Sequence, residues 1–374
     1  MRILFFACDP GGANTVLPLV APLRERGHEV RLFGKGVAMG RFREAGYDPL
    51  PIDSELPDPD LAGVQRFLQR ERPAFVCTGT SAEDATEKFL WKAADSLGIR
   101  SFAILDQWIN YGIRFSPWGV SRCAAYEAAP EHPFLPTRII VMDDFARDEM
   151  VSAGIAGPGR ILALGQPYFE TLLRRRDLLP AVSQLRESLG VDEELVVTFV
   201  SEPLSQDYGE DPEVGTFWGF SERTIFRSFR TALLAAAQRQ RKKTRLLIKR
   251  HPRESADSFA DLLQGSPWVT VCADFFADPM ETIHISDLVC GMSSMMLIEA
   301  AIVGRPILSM LVGLRRESPF VLDRRGLIAS ARSESEIERR LDCALAGESI
   351  GLGGFEVKKN PVDAIVKEME KMLS

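Results

Sequence analysis

The chain has 374 residues, 45% of them apolar and 26% charged, with a formal net charge of −7. That length and balance supply material for two or three packed cores. The net negative charge excludes a protein whose whole surface serves nucleic acid. Six cysteines (Cys8, Cys77, Cys123, Cys272, Cys290 and Cys343) stand apart with no CxxC pair. They suggest neither a disulfide framework nor a zinc site, and point to a reducing cytoplasm. No stretch approaches the ~18 apolar residues of a membrane span. The apolar run at Met1–Ala7 is too short for a signal peptide and meets Asp9-Pro10-Gly11-Gly12 at once.

In chain order, Ile3–Phe6 is predicted as a strand, followed by a Gly-rich loop and a helix from about Thr15 to Arg26. Pro18 would lie in the first turn of that helix, and Pro22 would kink it. Glu29–Phe33 is a strand, Leu61–Arg70 a helix, Phe75–Cys77 a strand and Glu83–Leu97 a helix. Ser101–Leu105 and Arg138–Met142 are strands, Asp143 caps a helix over Phe145–Ala153, and Ile161–Ala163 is a last short strand. The segment from Asp106 to Pro136 breaks the rhythm with Trp108, Tyr111, Phe115, Trp118, Tyr126 and Phe134 among four prolines. A loop of that length is usually functional, either stacking on a ligand or serving as a hydrophobic lid or interface.

Residues 171–192 are charged, helix-prone and free of strand patterning, and are read as a linker. The alternation restarts with a strand at Val196–Val200, a polar loop at Ser201–Gly219 and a helix at Glu222–Gln240. Strand Arg245–Lys249, helix Ala256–Leu263 and strand Val269–Cys272 follow, then strand Leu288–Cys290, helix Ser294–Val303 and strand Pro306–Met310. Helices at Ser335–Leu345 and Pro361–Leu373 end the chain. Short apolar strands alternating with helices imply parallel sheets covered on both faces. The expected organisation is therefore α/β: a Rossmann-like domain over 1–170, the linker, a second Rossmann-like domain over 193–350, and a terminal helix within 351–374. Two such domains would face each other across a cleft.

Two segments carry the strongest chemical signal. Gly291-Met292-Ser293-Ser294 joins a strand to a helix, and Glu299-Ala300-Ala301 and Gly304-Arg305-Pro306 follow. Hydroxyls and free N–H groups at a helix start suit a phosphate, and Glu299 could accept hydrogen bonds from ribose. A serine cap and a surface glutamate would explain the same spacing. The second segment is Lys249-Arg250-His251-Pro252-Arg253 at the end of a strand. Pro252 favours an extended backbone at His251, which can donate to a phosphate oxygen beside charges that neutralise it. A basic surface turn is the alternative.

The Ser-Ser…Glu-Ala-Ala…Gly-Arg-Pro stretch and the His-Pro pair resemble the donor half of GT-B glycosyltransferases. More narrowly they are similar to families with a His-Pro motif and a serine motif. These include bacterial sialyl- and polysialyltransferases and the glycerophosphotransferases of wall teichoic acid synthesis. Pro10-Gly11-Gly12 with Leu23-Arg24-Glu25-Arg26-Gly27-His28-Glu29-Val30 is similar to the opening of a GT-B acceptor domain.

The resemblance implies a donor site at Lys249, His251, Arg253, Ser293, Ser294 and Glu299, with Ser201 and Glu202 contributing from the acidic loop after Val200. It also implies acceptor contacts at Gly11 and Gly12, to which the aromatic loop adds Trp108 and the stretch Gly165-Gln166-Pro167 at the end of the first domain adds Gln166. An inverting transfer needs a base, for which Asp9 ranks first, Asp106 second and Glu83 third. Each has an ordinary reading too, in a turn or a cap. Retaining enzymes of this fold commonly carry two glutamates with seven residues between them, whereas the position eight before Glu299 is Gly291. Tyr208-Gly209-Glu210-Asp211 does not match the acidic pair of the sialyltransferases, so a sialic acid donor is unsupported.

The expected activity is inverting, metal-independent transfer of a sugar from a nucleotide-sugar donor to a carbohydrate or lipid-linked acceptor in cell-surface polysaccharide synthesis. The donor is a co-substrate, and no cofactor is expected. Asp58-Pro59-Asp60 is read as a loop and helix cap, not a metal site. The run Arg239–Arg245 is a solvated helix end, or a contact for a phosphate-bearing acceptor or an anionic membrane face. The alternatives are a nucleotide-sugar 2-epimerase, a CDP-glycerol-type glycerophosphotransferase and a non-catalytic nucleotide-sugar binder.

Overall fold

The computed structural model describes residues 1–57, 59–273, 275–276, 278–348 and 355–373. The chain divides into two compact units, Met1–Thr171 with Val357–Ser374, and Leu172–Glu356. The expected boundary at 350–351 lies outside the described residues, as does Asp58.

Seven parallel strands build the first unit: β1 (Arg2–Ala7), β2 (Glu29–Gly34), β3 (Leu50–Pro51), β4 (Phe75–Thr78), β5 (Arg100–Ile104), β6 (Arg138–Ile140) and β7 (Ile161–Leu162). Their order across the sheet is β3-β2-β1-β4-β5-β6-β7. Alternate residues of β1 face opposite sides, as the two-residue period requires. Ile3 and Phe5 enter one core with Val16, Leu19, Val20 and Leu23 of the helix Pro10–Glu25. Leu4 and Phe6 enter the other with Phe67, Leu68 and Leu90. The terminal helix Pro361–Leu373 adds Ile365, Val366 and Met369 to the first of these cores.

The second unit has five parallel strands: β8 (Leu195–Val200), β9 (Thr244–Lys249), β10 (Val269–Cys272), β11 (Leu288–Gly291) and β12 (Ile307–Ser309). Their order is β10-β9-β8-β11-β12. Each sheet runs outward one way from its first strand and then reverses, so it has a switch point: β1/β4 in one unit, β8/β11 in the other. Ligands of open parallel sheets bind beyond the carboxyl ends of the strands at such points. Residues 171–192 hold the helix Val182–Ser188 and the end of Pro167–Arg176.

Several local expectations are corrected. The first helix begins at Pro10, not near Thr15, because Asp9 and Pro10 form its N-cap and first position. Gly11 and Gly12 are thus helical, and both Pro18 and Pro22 lie inside the helix. The predicted helix Ala256–Leu263 is only a 3-10 turn at Ala260–Leu262. Ser255 Oγ accepts from the Asp257 N–H at 3.3 Å, and Ser258 Oγ donates to the Ser255 carbonyl at 2.9 Å. Such side chains compete with helical bonding. The polar loop after β8 contains a short helix, Leu204–Tyr208, and the aromatic segment contains another, Cys123–Ala128.

One close approach fixes the first switch point. A Cβ on Gly79, just after β4, would lie 2.4 Å from Gly12 Cα. Backbone meets backbone there, so neither side can yield. Gly79→Ala is expected to cost about 1–3 kcal/mol by overpacking. Gly12→Ala, whose Cβ would meet its nearest neighbour at 3.3 Å, should cost less. Denaturant melts of the two variants compare them.

Candidate functional site

In the second unit, three hydrogen bonds join the ends of three neighbouring strands, and a fourth closes the turn after β9. Glu254, on the turn after β9, accepts from the His251 N–H at 2.6 Å and from Ser201 Oγ at 2.6 Å. Ser201 follows β8 and is followed by Glu202. The Glu202 carboxylate accepts from Ser293 N at 2.7 Å and Ser293 Oγ at 3.0 Å, beyond β11. The basic turn and the serine-headed helix therefore converge on the β8/β11 switch point. Of the residues singled out in the sequence, Lys249, His251, Ser201, Glu202 and Ser293 all lie along this edge.

Ser294 is the N-cap of the helix Met295–Ile302, and its Oγ accepts from Met296 N at 3.3 Å. Glu299 lies on the same helix and is buried, with 8% of its surface exposed. Arg253 is engaged elsewhere, in a two-pronged ion pair with Asp207 at 2.7 Å and 2.7 Å. His251 Nδ1 accepts from the Arg253 N–H at 3.2 Å, so the neutral ring carries its proton on Nε2. Burial, then the Arg253 charge, hold the His251 pKa below the usual histidine value, although Asp207 opposes them. This neutral imidazole has a donor to offer.

A cavity of about 470 Å³ adjoins the turn, walled by Lys249, Arg250 and His251 on one side and by Phe275 and Phe276 on another. Lys249 Nζ donates to the Phe276 carbonyl at 3.0 Å and lies 5.5 Å from the Phe275 ring centre. Cations beside two aromatic rings suit a flat, electron-rich group linked to phosphate.

The first unit gathers a different chemistry at the ends of β1, β4 and β5. Asp9 caps the first helix in position only, since its side chain makes no cap hydrogen bond. A Cβ on Gly11 would come 1.9 Å from Asp106 Oδ2, so only glycine lets that carboxylate lie on the first turn. Arg114, with 2% of its side chain exposed, meets Asp106 Oδ1 at 3.0 Å and donates to Thr80 Oγ1 at 2.9 Å. Burial raises the Asp106 pKa and Arg114 opposes the rise, while Asp9 adds to it. Gln166 is buried, donates to the Asp106 carbonyl and leaves its own Oε1 without a hydrogen-bond partner.

Two residues of this cluster escaped the sequence reading. Glu87 is buried, accepts from Ser81 N at 2.6 Å and leaves Oε1 without a partner. Burial, then Asp9, push its pKa well above the carboxylate range. Next to it, Lys88 donates to the Ile113 carbonyl at 3.2 Å and the Trp118 carbonyl at 2.7 Å, fastening the aromatic loop. Burial lowers its pKa to about 8. Both lie on the helix Thr86–Ser96, where charged residues normally face water; their only sequence signal is that charge sits between apolar positions.

Other expected residues are occupied by structural work. Trp108 is stacked on Phe169 at 5.8 Å, and its Nε1 donates to Asp143 at 3.1 Å. Glu83 accepts from Ser121 Oγ and the Ser121 N–H, at 2.5 Å and 3.0 Å. Asp60 caps the helix Leu61–Glu71, accepting from Gly63 N at 2.6 Å. In the basic run, Arg239 pairs with Asp342 at 2.8 Å, Arg245 with Glu194 at 2.8 Å, and Lys243 donates to the Pro267 carbonyl at 2.6 Å. Among the described residues no helix is long and apolar enough to cross a membrane, and no cluster of His, Cys, Asp and Glu could hold a metal ion.

No protein-family model and no curated protein matches the chain. Solved structures do. The UDP-GlcNAc 2-epimerase of Neisseria meningitidis bound to UDP-GlcNAc matches with a TM-score of 0.66 at 13% identity, over 99% of this chain and 100% of that one. Anabaena HepE in complex with UDP and glucose matches with a TM-score of 0.58 at 16% identity, over 100% and 99%. A glycosyltransferase of Rickettsia africae matches with a TM-score of 0.58 at 11% identity, over 100% and 95%. At these identities the likeness establishes architecture: the chain has the GT-B fold, two parallel-sheet α/β units in one chain.

Proposed function

We propose that the chain is a nucleotide-sugar-dependent glycosyltransferase, with the second unit binding the donor and the first supplying the base. The observation that carries the donor half is the hydrogen-bonded edge from His251 through Glu254, Ser201 and Glu202 to Ser293. It brings a neutral imidazole donor, a basic turn and a helix start to one place beside an aromatic-walled cavity. In this reading His251 Nε2 and the Ser294 region meet the diphosphate, Glu299 holds ribose, and the nucleobase lies against Phe275 and Phe276. The structural neighbours crystallised with UDP-GlcNAc, or with UDP and glucose, support the ligand class.

In the transfer the acceptor hydroxyl attacks the anomeric carbon, whose bond to the diphosphate oxygen breaks. The hydroxyl proton passes to Asp9, and the nucleoside diphosphate leaves with the bond's electron pair. Asp9 suits the task because its carboxylate is not used as a cap. Asp106, paired with a buried arginine, is held as a positioning group. The His-Pro and serine-motif families remain the proposed closer relatives, and polysaccharide assembly the proposed setting.

The second reading is a nucleotide-sugar 2-epimerase, favoured by the end-to-end match to a UDP-GlcNAc 2-epimerase. NMR of UDP-GlcNAc with the protein and no acceptor separates the two. The transferase reading predicts no new UDP-sugar, and accumulation of the 2-epimer would replace it.

UDP is expected to raise the melting temperature of the wild-type protein. His251→Ala removes one hydrogen bond to a charged group, worth about 1.5–3 kcal/mol, and should weaken UDP at least tenfold by calorimetry. Glu299→Ala should weaken UDP but not inorganic diphosphate. With a transferable donor and acceptor in hand, Asp9→Asn should lower kcat at least a hundredfold, leaving UDP affinity within about twofold. Equal losses in both would remove Asp9 from the base role.

A further inference from the structure

A helix start in the second unit is offered to phosphate by the reading above, yet an anion of the chain's own already lies there. Glu202 takes two hydrogen bonds from Ser293, at 2.7 Å and 3.0 Å, and a third from the Ser294 N–H. A carboxylate and a phosphate want the same donors at the positive end of a helix. The backbone around Glu202 is fixed on both sides: Ser201 Oγ is bonded to Glu254 at 2.6 Å, and the Glu202 carbonyl accepts from Leu204 N at 2.8 Å. No lysine or arginine among the described residues pairs with it.

We infer that Glu202 determines how this site admits an anion: it stands in for the donor's phosphate when the site is empty, and a phosphate seats against Ser293 and Ser294 only once the Glu202 carboxyl has taken up a proton. As an acid, Glu202 no longer repels the phosphate, and its O–H becomes one more donor to it. This inference rests on the nucleotide-sugar reading of the second unit.

The surroundings set the pH at which this happens. Burial of the carboxylate raises the Glu202 pKa to about 7, the Ser293 and Ser294 donors oppose the rise, and the Glu254 charge adds to it. Glu254, on the turn after β9, is the charge that adds to this rise; its own pKa is raised by burial. Beyond it on that turn, Arg253 is paired with Asp207, and His251 titrates below the usual histidine value. A group that must be protonated for binding makes affinity full below its pKa and weaker above it.

The test is calorimetric binding of UDP-GlcNAc, whose two phosphates keep their charge between pH 6 and pH 8, to wild type, Glu202→Gln and Glu202→Ala. With a pKa of about 7, wild-type affinity is expected to fall about tenfold across that interval. Binding at pH 8, compared in two buffers of different ionisation enthalpy, should show uptake of about one proton. Both variants should bind without that slope and without proton uptake, and at pH 8 at least as tightly as wild type. Wild-type binding that is flat with pH, or a slope that persists in both variants, overturns the inference and leaves the donor site standing. Absence of binding by all three proteins at both pH values overturns the donor site and the inference together.

Discussion

Ser201 and Glu202 are consecutive residues at the end of the central strand β8, and their side chains bond to opposite neighbours. Ser201 reaches the β9 turn through Glu254, and Glu202 reaches the helix start beyond β11. Parallel strands are held to one another by their ladders, but their loops are not. These contacts tie the basic turn and the serine-headed helix to two consecutive residues at one strand end. With them, a cation-rich turn, a neutral histidine and a helix terminus share one rim of the sheet. The donor-site assignment, the pocket against the phenylalanines and the inference about Glu202 all depend on that rim.

The two units repeat one topology with contrasting charge. Strand ends in the second present cations, hydroxyls and N–H groups; those in the first present Asp9, Glu87 and Asp106, with Arg114 and Lys88 buried among them. Carboxyls held close in little water have their affinities for protons driven apart, and that separation lets one act as a base while another stays protonated. Burial, then the Asp9 charge, raise the Glu87 pKa well above the usual carboxylate value. Gly11 and Gly79 are the steric condition for the arrangement, because a methyl group at either would strike Asp106 or the first helix.

Much of this architecture can be read from the residues because apolar runs and helix punctuation are local signals. The helix Glu222–Gln240 and the strand Val269–Cys272 coincide with their expected bounds. Asp143 caps its helix as its position suggests, accepting from Ala146 N at 2.9 Å. The misreadings are local conflicts: Asp9-Pro10 starts a helix despite the two glycines that follow, and hydrogen bonds of the serines at 255 and 258 defeat one. The site is legible in part. His251 and Ser293 are marked by their place at strand ends. Glu254 is not, because its importance lies in two partners that are 3 and 53 residues away in the chain. Glu87 and Lys88 resemble any solvated helix face until Glu87 is seen bonded to Ser81 and Lys88 to the aromatic loop.

The most direct measurement is a crystal structure of the protein soaked with UDP. The account predicts the diphosphate within hydrogen-bonding reach of His251 Nε2 and the Ser293–Ser294 backbone, with the uracil against Phe275 and Phe276. A nucleotide bound in the first unit, or on a face of the second away from the β8/β11 switch point, would contradict it.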